Sequence, residues 1–459
     1  MKKRILSAQF ATDCSIILKM KAVGAAMKFA HCNILIAILC LSFPAFGDDW
    51  PQWRGPNHND ISQEKSGWPN GWPPKKLWST NVGWGCTSPI IAHGRLYVMG
   101  WSGNRSGRNQ VGTDTIHCFE AHTGKLLWKQ SYRCRYQGRV RTGDTGQYGG
   151  PSSTPSFDAE TGYLYTLSID GDLRCWDTKQ QGSPVWTINF YDKYKVPQRP
   201  QTTSRGKRDY GYTSCPLIQG DLLIMEVGGD EGTLMAFNKR DGQREWISSC
   251  REPAGHSGGS VPLSVQGVPC VASFALRKLA VVRIDKGYEG QTVAEYDWIT
   301  DFGNNIATPA VANNRIILTS GYNQRKTGLL EITLDGAKQL WSSREYSGVS
   351  SPVVYKDNIY IADGYLKCLD LESGQLKWRG GRVGHGSCIV TAGDDKIVVF
   401  GSSTLALVEA TPSGGKYKEL YRVEGVCSDT CYPHVAFSDG FICCKDKAGN
   451  LICFSVRER

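Results

Sequence analysis

The stretch CFEAHTGKLLW, residues 118–128, occurs in related form at two other places in the chain. Residues 236–246 read AFNKRDGQREW and residues 368–378 read CLDLESGQLKW. Each copy begins with a small residue, has glycine at its seventh position and ends in tryptophan. A glycine turn between two short apolar segments is typical of a β-hairpin. The three stretches therefore predict the same hairpin at three places in one fold.

A longer repeat surrounds these hairpins. The first copy runs from Ser88-Pro89 to Trp128 and consists of a small residue, Pro, and four short apolar segments, the last of which ends in Trp. Further copies lie at 154–186, 215–246, 261–298, 308–341, 351–378 and 387–421. Repeats of about 40 residues with four strands each are typical of β-propellers. We predict an all-β protein with a single propeller.

The last copy of the repeat is incomplete. It begins at Tyr432-Pro433 and stops at Ser455, after three strands, whereas Lys76-Leu77-Trp78 forms a fourth-strand motif without a copy of its own. Pairing the two ends would close the ring and remove exposed sheet edges. We expect eight blades, or seven if the divergent fourth copy is an elaboration of its neighbour.

The N-terminal region has the pattern of an export signal. The apolar run Ile34–Phe43 follows Lys28 and precedes small residues at the end of a 47-residue leader. This run is too short to span a bilayer. We predict cleavage near Gly47 and export to the periplasm or cell surface, without a transmembrane span in the mature chain. Residues 1–26 could be a mis-assigned start, residues 48–75 form an N-terminal extension, and residues 76–459 form the propeller.

The net charge falls once the leader is set aside. The whole chain carries +10, and the leader holds six basic residues and one acidic residue, so the remainder carries +5. Such a modest excess does not by itself indicate a nucleic-acid partner, and export argues against one. We expect a monomer.

The hairpin motif resembles the tryptophan-docking motif of pyrroloquinoline-quinone-type propellers. The resemblance covers residues 77–456 and implies the fold of the quinoprotein alcohol dehydrogenase-like proteins, which include the propeller lipoprotein of outer-membrane protein assembly. The opening Asp49-Trp50-Pro51-Gln52-Trp53-Arg54-Gly55-Pro56 is similar to the start of a group of exported propellers of planctomycete-type bacteria.

The resemblance leaves two functional alternatives open. The dehydrogenases of this fold bind pyrroloquinoline quinone with calcium, but their calcium-binding Glu/Asn pair, catalytic Asp and stacking Trp cannot be matched to residues of this sequence. A non-enzymatic binding or scaffold propeller without a cofactor is therefore the leading interpretation. The alternative is a pyrroloquinoline-quinone-dependent dehydrogenase. We assign no catalytic residue and no metal ligand.

The cysteines follow the repeat. Cys118, Cys175, Cys368 and Cys453 occupy one third-strand position, where copy three has Ala236. A position that accepts Ala or Cys is a small buried pocket, and free Cys suits it as a compact apolar residue. Cys427 and Cys431, in the loop before the last copy, are the better candidates for a disulfide.

The long connections of the repeat are basic. In a four-stranded antiparallel blade the loops between strands two and three, and those between blades, lie on one face. The long segments 101–115, 129–152 and 187–212 all belong to that set and carry net charges of +1, +4 and +4. Loops on one face of a rigid scaffold commonly carry binding residues.

We therefore expect this face to bind an anionic polysaccharide or an acidic protein segment, because arginine forks and tyrosines suit carboxylate, sulfate or phosphate groups. Solvated loops without a ligand are the alternative. The candidate residues are Arg105, Arg108, Arg133, Arg135, Arg139, Arg141, Tyr148, Lys193, Lys195, Arg199, Arg205, Lys207 and Arg208.

Overall fold

The structure, a computed structural model, describes residues 48–103, 112–134, 150–197, 199–200, 203 and 210–457. The predicted leader lies outside these residues. The described chain is built almost entirely of short strands, which confirms the predicted all-β class. The described helices are α1 (Phe190–Tyr194) and two 3₁₀ turns, at Thr178–Gln180 and Asp301–Gly303. No helix in this part of the chain has the length and apolarity needed to cross a membrane.

The strands are short and follow the chain order of the repeat. The first half comprises β1 (Ile61–Ser62), β2 (Lys75–Asn81), β3 (Ile90–Ala92), β4 (Arg95–Gly103), β5 (Gly112–Glu120), β6 (Leu126–Cys134), β7 (Ser156–Asp158), β8 (Tyr163–Leu167), β9 (Asp172–Asp177), β10 (Ser183–Asn189), β11 (Leu217–Gln219), β12 (Leu222–Glu226), β13 (Leu234–Asn238) and β14 (Arg244–Ile247). The second half comprises β15 (Val261–Val265), β16 (Val268–Phe274), β17 (Lys278–Arg283), β18 (Thr292–Asp297), β19 (Ala310–Ala312), β20 (Arg315–Ser320), β21 (Lys326–Thr333), β22 (Gly336–Ser343), β23 (Val353–Tyr355), β24 (Asn358–Asp370), β25 (Leu376–Thr391), β26 (Lys396–Gly401), β27 (Thr404–Glu409), β28 (Glu419–Val423), β29 (Ala436–Ser438), β30 (Phe441–Lys445) and β31 (Asn450–Ser455).

The first five copies of the repeat each form a separate four-stranded antiparallel sheet. We call these units 1 to 5; they contain β3–β6, β7–β10, β11–β14, β15–β18 and β19–β22. The divergent fourth copy is thus a complete sheet with its own four strands. Strands β23–β28, which are copies six and seven, form one seven-stranded sheet together with β1. The number of eight blades stays a prediction, because the long strand β25 runs from copy six into copy seven and joins the two copies in one sheet.

The ring closes as predicted. Strand β2 pairs antiparallel with β31 and completes a sheet in the order β2-β31-β30-β29, which we call unit 8. Trp78 of β2 lies opposite Cys453 of β31, the same cross-strand pair that Trp128 and Cys118 form in unit 1. The N-terminal strand therefore takes the fourth position of the last unit.

The motif tryptophans join neighbouring units. The indole of Trp78 covers Gly124 in the turn of unit 1, and a Cβ on that glycine would lie 2.5 Å from the indole. The φ of Gly124 is +71°, so the turn requires glycine for its backbone as well as for its space. The Trp78 Nε1–H donates to Ala121 O at 2.8 Å. Trp186 and Trp341 contact Gly242 and Gly374 of the following units in the same way.

The third-strand cysteines are compact buried residues, as expected. Cys118, Cys175, Cys368 and Cys453 are all buried free thiols. Burial raises the pKa of Cys118 to about 12, and the same cause raises the pKa of Cys368 to about 12. The Cys118 and Cys368 side chains are therefore neutral at physiological pH, and all four cysteines act as packing groups.

The N-terminal extension, residues 48–74, crosses the hairpin side of the propeller and is called the strap below. Trp50 exchanges two backbone hydrogen bonds with Ile91 of unit 1, and Pro51 O accepts from Phe157 N of unit 2. Farther along, β1 pairs in parallel with β25, and the Glu64 carboxylate accepts from the backbone of Asp439 in unit 8. The strap therefore ties together units that are distant in sequence before it enters β2.

The centre of the strap is a buried ion pair. The Arg54 Nε–H donates to Asp60 Oδ2 at 2.5 Å, and both side chains are fully buried. Its other two nitrogens donate to Pro309 O at 2.9 Å and to Pro352 O at 2.5 Å. Burial opposes ionisation of Asp60, but the charge of Arg54 and the contacts with Arg54 and His434 outweigh it and hold the pKa of Asp60 below its usual value. The guanidinium thus satisfies groups from three parts of the ring.

Replacing the central arginine should destabilise the whole ring. Arg54→Met keeps most of the buried volume but leaves the Asp60 carboxylate and two carbonyls without their donor. Removing one partner of a buried pair costs about 3–5 kcal/mol. We expect that loss in urea unfolding followed by tryptophan fluorescence. Arg240→Met, which removes an exposed ion pair with Glu160, is the control and should cost less than about 1 kcal/mol. Equal losses in the two variants would contradict the role given to Arg54.

A second residue of the strap, His58, should make the stability of the fold sensitive to acid. Burial, reinforced by the charge of Arg54, lowers the pKa of His58 to about 4. In the unfolded chain His58 binds a proton at about pH 6.5, whereas in the folded chain it does so only near pH 4. The free energy of unfolding is therefore unaffected by this group above pH 6.5 and falls as the pH drops from 6.5 towards 4. His58 has a φ of +53°, which Asn tolerates. The His58→Asn variant should lose about 3 kcal/mol less stability than the native chain between pH 7 and pH 4. Urea midpoints measured across that interval test this, and parallel curves for the two proteins would refute it.

Candidate functional site

The two faces of the propeller differ in their connections. Short hairpins, such as those at His93-Gly94 and Lys356-Asp357, lie on the side that the strap covers. The long connections that precede each first strand lie on the opposite side, which we call the long-loop face. The candidate site is on the long-loop face, because it is there that the central channel is lined by loop residues.

A cavity of about 300 Å³ occupies this end of the channel and is called the funnel below. Five aromatic side chains line it: Trp53, Tyr210, Phe302, Tyr322 and Tyr432. Between them are two imidazoles, one amide, and small hydroxyl, thiol and aliphatic groups: His256, His434, Asn304, Cys86, Ser152, Thr213, Ser351, Ile306 and Val349. None of these lining residues is an acid, a lysine or an arginine.

The floor of the funnel belongs to the strap. The Trp53 Nε1–H donates to Thr308 Oγ1 at 3.0 Å, and its ring centroid lies 4.2 Å from that of His434. The His434 Nδ1 lies 3.3 Å from the Asp60 carboxylate. Gly258 allows this close approach, because a Cβ there would lie 2.7 Å from the Trp53 ring. The residue that closes the channel is thus held by the same buried pair that anchors the strap.

Hydrogen bonds between consecutive units surround the floor. Each bond involves the residue two positions before the first strand of a unit. Its backbone N–H donates to the side chain of the equivalent residue in the next unit. The bonds are Ser88 N to Thr154 Oγ1 (3.0 Å), Thr154 N to Cys215 Sγ (3.1 Å), Thr308 N to Ser351 Oγ (3.1 Å) and His434 N to Ser88 Oγ (2.8 Å). The small residues of the repeat therefore hold the ring together at the channel.

His256 lies in the wall of the funnel, where backbone hydrogen bonds hold its ring. Its Nδ1 lies 3.0 Å from Gly303 O, and its Nε2 accepts from Tyr210 N at 3.4 Å. Because a carbonyl can only accept and an amide N–H can only donate, these partners select the neutral tautomer with the proton on Nδ1. The ring also packs edge-on against Tyr210, at 4.9 Å between centroids. His256 orients the wall of the funnel rather than serving as a free base.

Two aromatic residues of the funnel have unusual backbone conformations. Phe302 has a φ of +62° and Tyr322 has a φ of +53°. Bulky residues rarely occupy the left-handed region, and such outliers cluster at binding and active sites. Both rings contribute to the funnel, so the local backbone is held in the conformation that presents them there.

The predicted binding residues divide into two groups. Nine of them lie outside the described residues: Arg105, Arg108, Arg135, Arg139, Arg141, Tyr148, Arg205, Lys207 and Arg208. Arg133, at the end of β6, and Lys193 and Lys195, at α1, are exposed on the long-loop face. These three cations have no acidic partner among the described residues. Lys193 lies 5.6 Å from the Tyr194 ring, a cation–π contact.

Arg199 differs from the exposed role that the sequence suggested. Its side chain is buried, and its guanidinium donates to Ala254 O and Gly255 O and lies 5.4 Å from the Tyr212 ring. A guanidinium enclosed by carbonyls and an aromatic face fixes the loop before unit 3. We therefore remove Arg199 from the surface residues offered to a ligand.

The two candidate disulfide cysteines are neighbours in the structure. Cys427 and Cys431 are both buried free thiols, and Cys431 together with burial raises the pKa of Cys427. Their pairing stays a prediction. The Cys443 and Cys453 sulfurs, on opposing strands of unit 8, lie 3.3 Å apart. That second proximity is a cross-strand contact within one sheet, which the sequence analysis did not consider.

The funnel does not fit calcium and pyrroloquinoline quinone. Calcium takes oxygen ligands, chiefly carboxylates, and the quinone carries carboxylates that need cationic partners. The lining residues named above supply neither a carboxylate nor a Lys or Arg. In the described part of the chain, no cluster of three His, Cys, Asp or Glu side chains is arranged to hold a metal ion.

Sequence reasoning missed the funnel, although the repeat contained a signal for it. Residues four positions before the first strands of several units line the funnel, among them Cys86, Ser152 and Thr213. In unit 8 this position holds Tyr432. An aromatic residue at a position that is not aromatic in these other units marks this wall of the funnel.

The family model for the outer membrane protein assembly factor BamB matches residues 112–380. BamB of Escherichia coli K12 is 23% identical over 358 residues, which is 67% of this chain and 81% of that protein. BamB of Yersinia pestis is 21% identical over 350 residues, with the same coverage.

Two solved structures share the fold. The crystal structure of BamB from Moraxella catarrhalis superposes with a TM-score of 0.53 at 11% identity, covering 83% of this chain and 99% of that one. The computationally designed Ika8 protein gives a TM-score of 0.50 at 11% identity with the same coverage. The family match spans more than half of the sequence and includes the tryptophan-docking hairpins at 118–128, 236–246 and 368–378. The chain belongs to the family of the outer membrane protein assembly factor BamB, whose members are propellers with pyrroloquinoline-quinone-like repeats.

Proposed function

We propose that this chain is a non-enzymatic scaffold that binds an acidic segment of a partner protein on its long-loop face. It acts after export, in the periplasm or at the cell surface. The apolar segment at 34–43 supports export. The relatives are named as assembly factors for outer membrane proteins, and that name favours a protein partner over a polysaccharide.

The observation that carries the proposal is the grouping of exposed cations on the long-loop face. Arg133, Lys193 and Lys195 are exposed without an acidic partner in the described part of the chain, and they lie at the ends of the outer strands of the neighbouring units 1 and 2. On the hairpin face, cations are either paired, as Lys356 is with Asp395 at 2.6 Å, or single in separate turns, as Lys125 and Lys286 are. Cations that lack an acidic partner among the described residues are available to an external anion.

The sequence extends this charge. The segments 129–152 and 187–212, which contain these three residues, each carry a net charge of +4. A concentration of positive charge on one face raises the rate of association with acidic partners and makes binding dependent on salt. The proposal therefore requires binding that weakens as the ionic strength rises.

Charge reversal tests this proposal. The triple variant Arg133→Glu, Lys193→Glu and Lys195→Glu should bind a fluorescein-labelled deca-glutamate peptide about tenfold more weakly at low salt, because exposed ion pairs contribute about 0.5 kcal/mol each. Fluorescence anisotropy gives the dissociation constants, and polygalacturonate serves as a competitor to reveal preference for an acidic polysaccharide.

The control is a triple variant of equal charge change on the hairpin face: Lys125→Glu, Lys286→Glu and Lys416→Glu. All three lysines are exposed. Binding by this variant should stay within twofold of the native chain. Equal weakening by both triples would mean that net charge alone governs binding, and the proposed face would be wrong. Tighter binding of polygalacturonate than of the peptide would overturn the choice of a protein partner.

A further inference from the structure

The funnel has the composition of a binding site for an uncharged ligand. Its volume of about 300 Å³ is at the lower end of the range of small-molecule pockets. Such pockets combine apolar and aromatic walls with a few placed polar groups. Here the described lining has five aromatic rings and no ionised carboxylate, lysine or arginine, so an anion or a cation would find no counter-charge among these groups.

One polar group of the funnel is buried and unsatisfied. Asn304 is only 2% exposed, and its Oδ1 has no hydrogen-bond partner among the described residues. A buried acceptor without a donor is destabilising, so native proteins rarely retain one unless a water, an ion or a ligand satisfies it. Asn304 also lines the funnel. The missing partner is therefore an O–H or N–H donor that enters from the cavity.

The polar groups lie around the circumference rather than at one point. Ser152, Thr213 and Ser351 come from the loops before β7, β11 and β23, so their hydroxyl groups reach the funnel from separate loops. Aromatic rings lie between these groups, and Trp53 closes the bottom. A matching ligand has apolar faces and several hydroxyl groups that radiate from its edge.

From this arrangement we infer that the funnel binds a neutral pyranose unit of a saccharide. The C–H faces of a sugar ring pack against aromatic side chains, and its hydroxyl groups can donate to Asn304 Oδ1 and exchange hydrogen bonds with the ring of hydroxyls. The held conformations of Phe302 and Tyr322 keep two of these rings in place before binding, which lowers the ordering cost. The other occupant to be tested is the aromatic side chain of a peptide.

This site is independent of the acidic partner proposed above. The basic residues of the long-loop face attract charge over a distance and are screened by salt, whereas the contacts inside the funnel are uncharged. Salt dependence therefore separates failure of one proposal from failure of the other.

The test is saturation-transfer NMR on the intact mature chain with cellotriose, maltotriose and tri-N-acetylchitotriose, and with N-acetyltyrosinamide as the peptide probe. We expect transfer to the ring C–H protons of at least one saccharide, with a dissociation constant that changes less than twofold between 50 and 500 mM NaCl. Tyr322→Ala and Asn304→Leu should each weaken binding at least fivefold.

Tyr365→Ala is the matched control, since Tyr365 is exposed on β24 and does not line the funnel. It should bind as the native chain does, and the charge-reversal triple at Arg133, Lys193 and Lys195 should leave saccharide binding unchanged. Absence of transfer to all three saccharides, displacement of a bound saccharide by N-acetyltyrosinamide at lower concentration, or an equal loss in the Tyr365→Ala variant would overturn the inference. Asn304→Leu is checked for folding by its urea midpoint, and Tyr322→Ala, at an exposed residue, keeps the test decisive if that variant is unstable.

Discussion

The contact of a tryptophan with the glycine turn of the next unit determines how the sheets are arranged. At Trp78 and Gly124 the indole lies where any Cβ would be, and the positive φ of the glycine excludes other residues for a second reason. The indole N–H donates to a carbonyl of the same turn, so the contact fixes orientation as well as distance. Because Trp78 comes from the first strand after the strap, this same contact connects the end of the ring to its beginning.

The strap is a second constraint, at the centre of the ring. Arg54 reaches carbonyls of two units and is neutralised by Asp60, which in turn contacts His434 of the last unit. A buried ion pair is not an efficient source of stability, because desolvation opposes the attraction. The pair acts by positioning the strap, so that Trp53 lies against Thr308 and closes the channel. The buried charge therefore fixes where the strap closes the channel.

The sequence was sufficient for the fold because each local signal is repeated. The turn glycine, the small third-strand residue and the terminal tryptophan agree in several copies, and closure by Lys76-Leu77-Trp78 followed from the incomplete last copy. The funnel was not predicted because its residues come from the loops before different units and from the strap, so only the closed ring brings them together. Arg199 was misjudged for a related reason: its charge is visible in the sequence, but the carbonyls that surround it are not.

The arrangement of polar groups favours recognition over chemistry. Reactive groups need a nucleophile, a base or a metal whose bonding capacity is not used by the fold. In the funnel both nitrogens of His256 are engaged by backbone groups, whereas the unsatisfied atom, Asn304 Oδ1, is an amide acceptor without acid–base function. A neutral acceptor among fixed aromatic rings can orient a ligand but cannot activate it. The groups that line the funnel are therefore suited to orienting a ligand, which agrees with the binding role proposed for it.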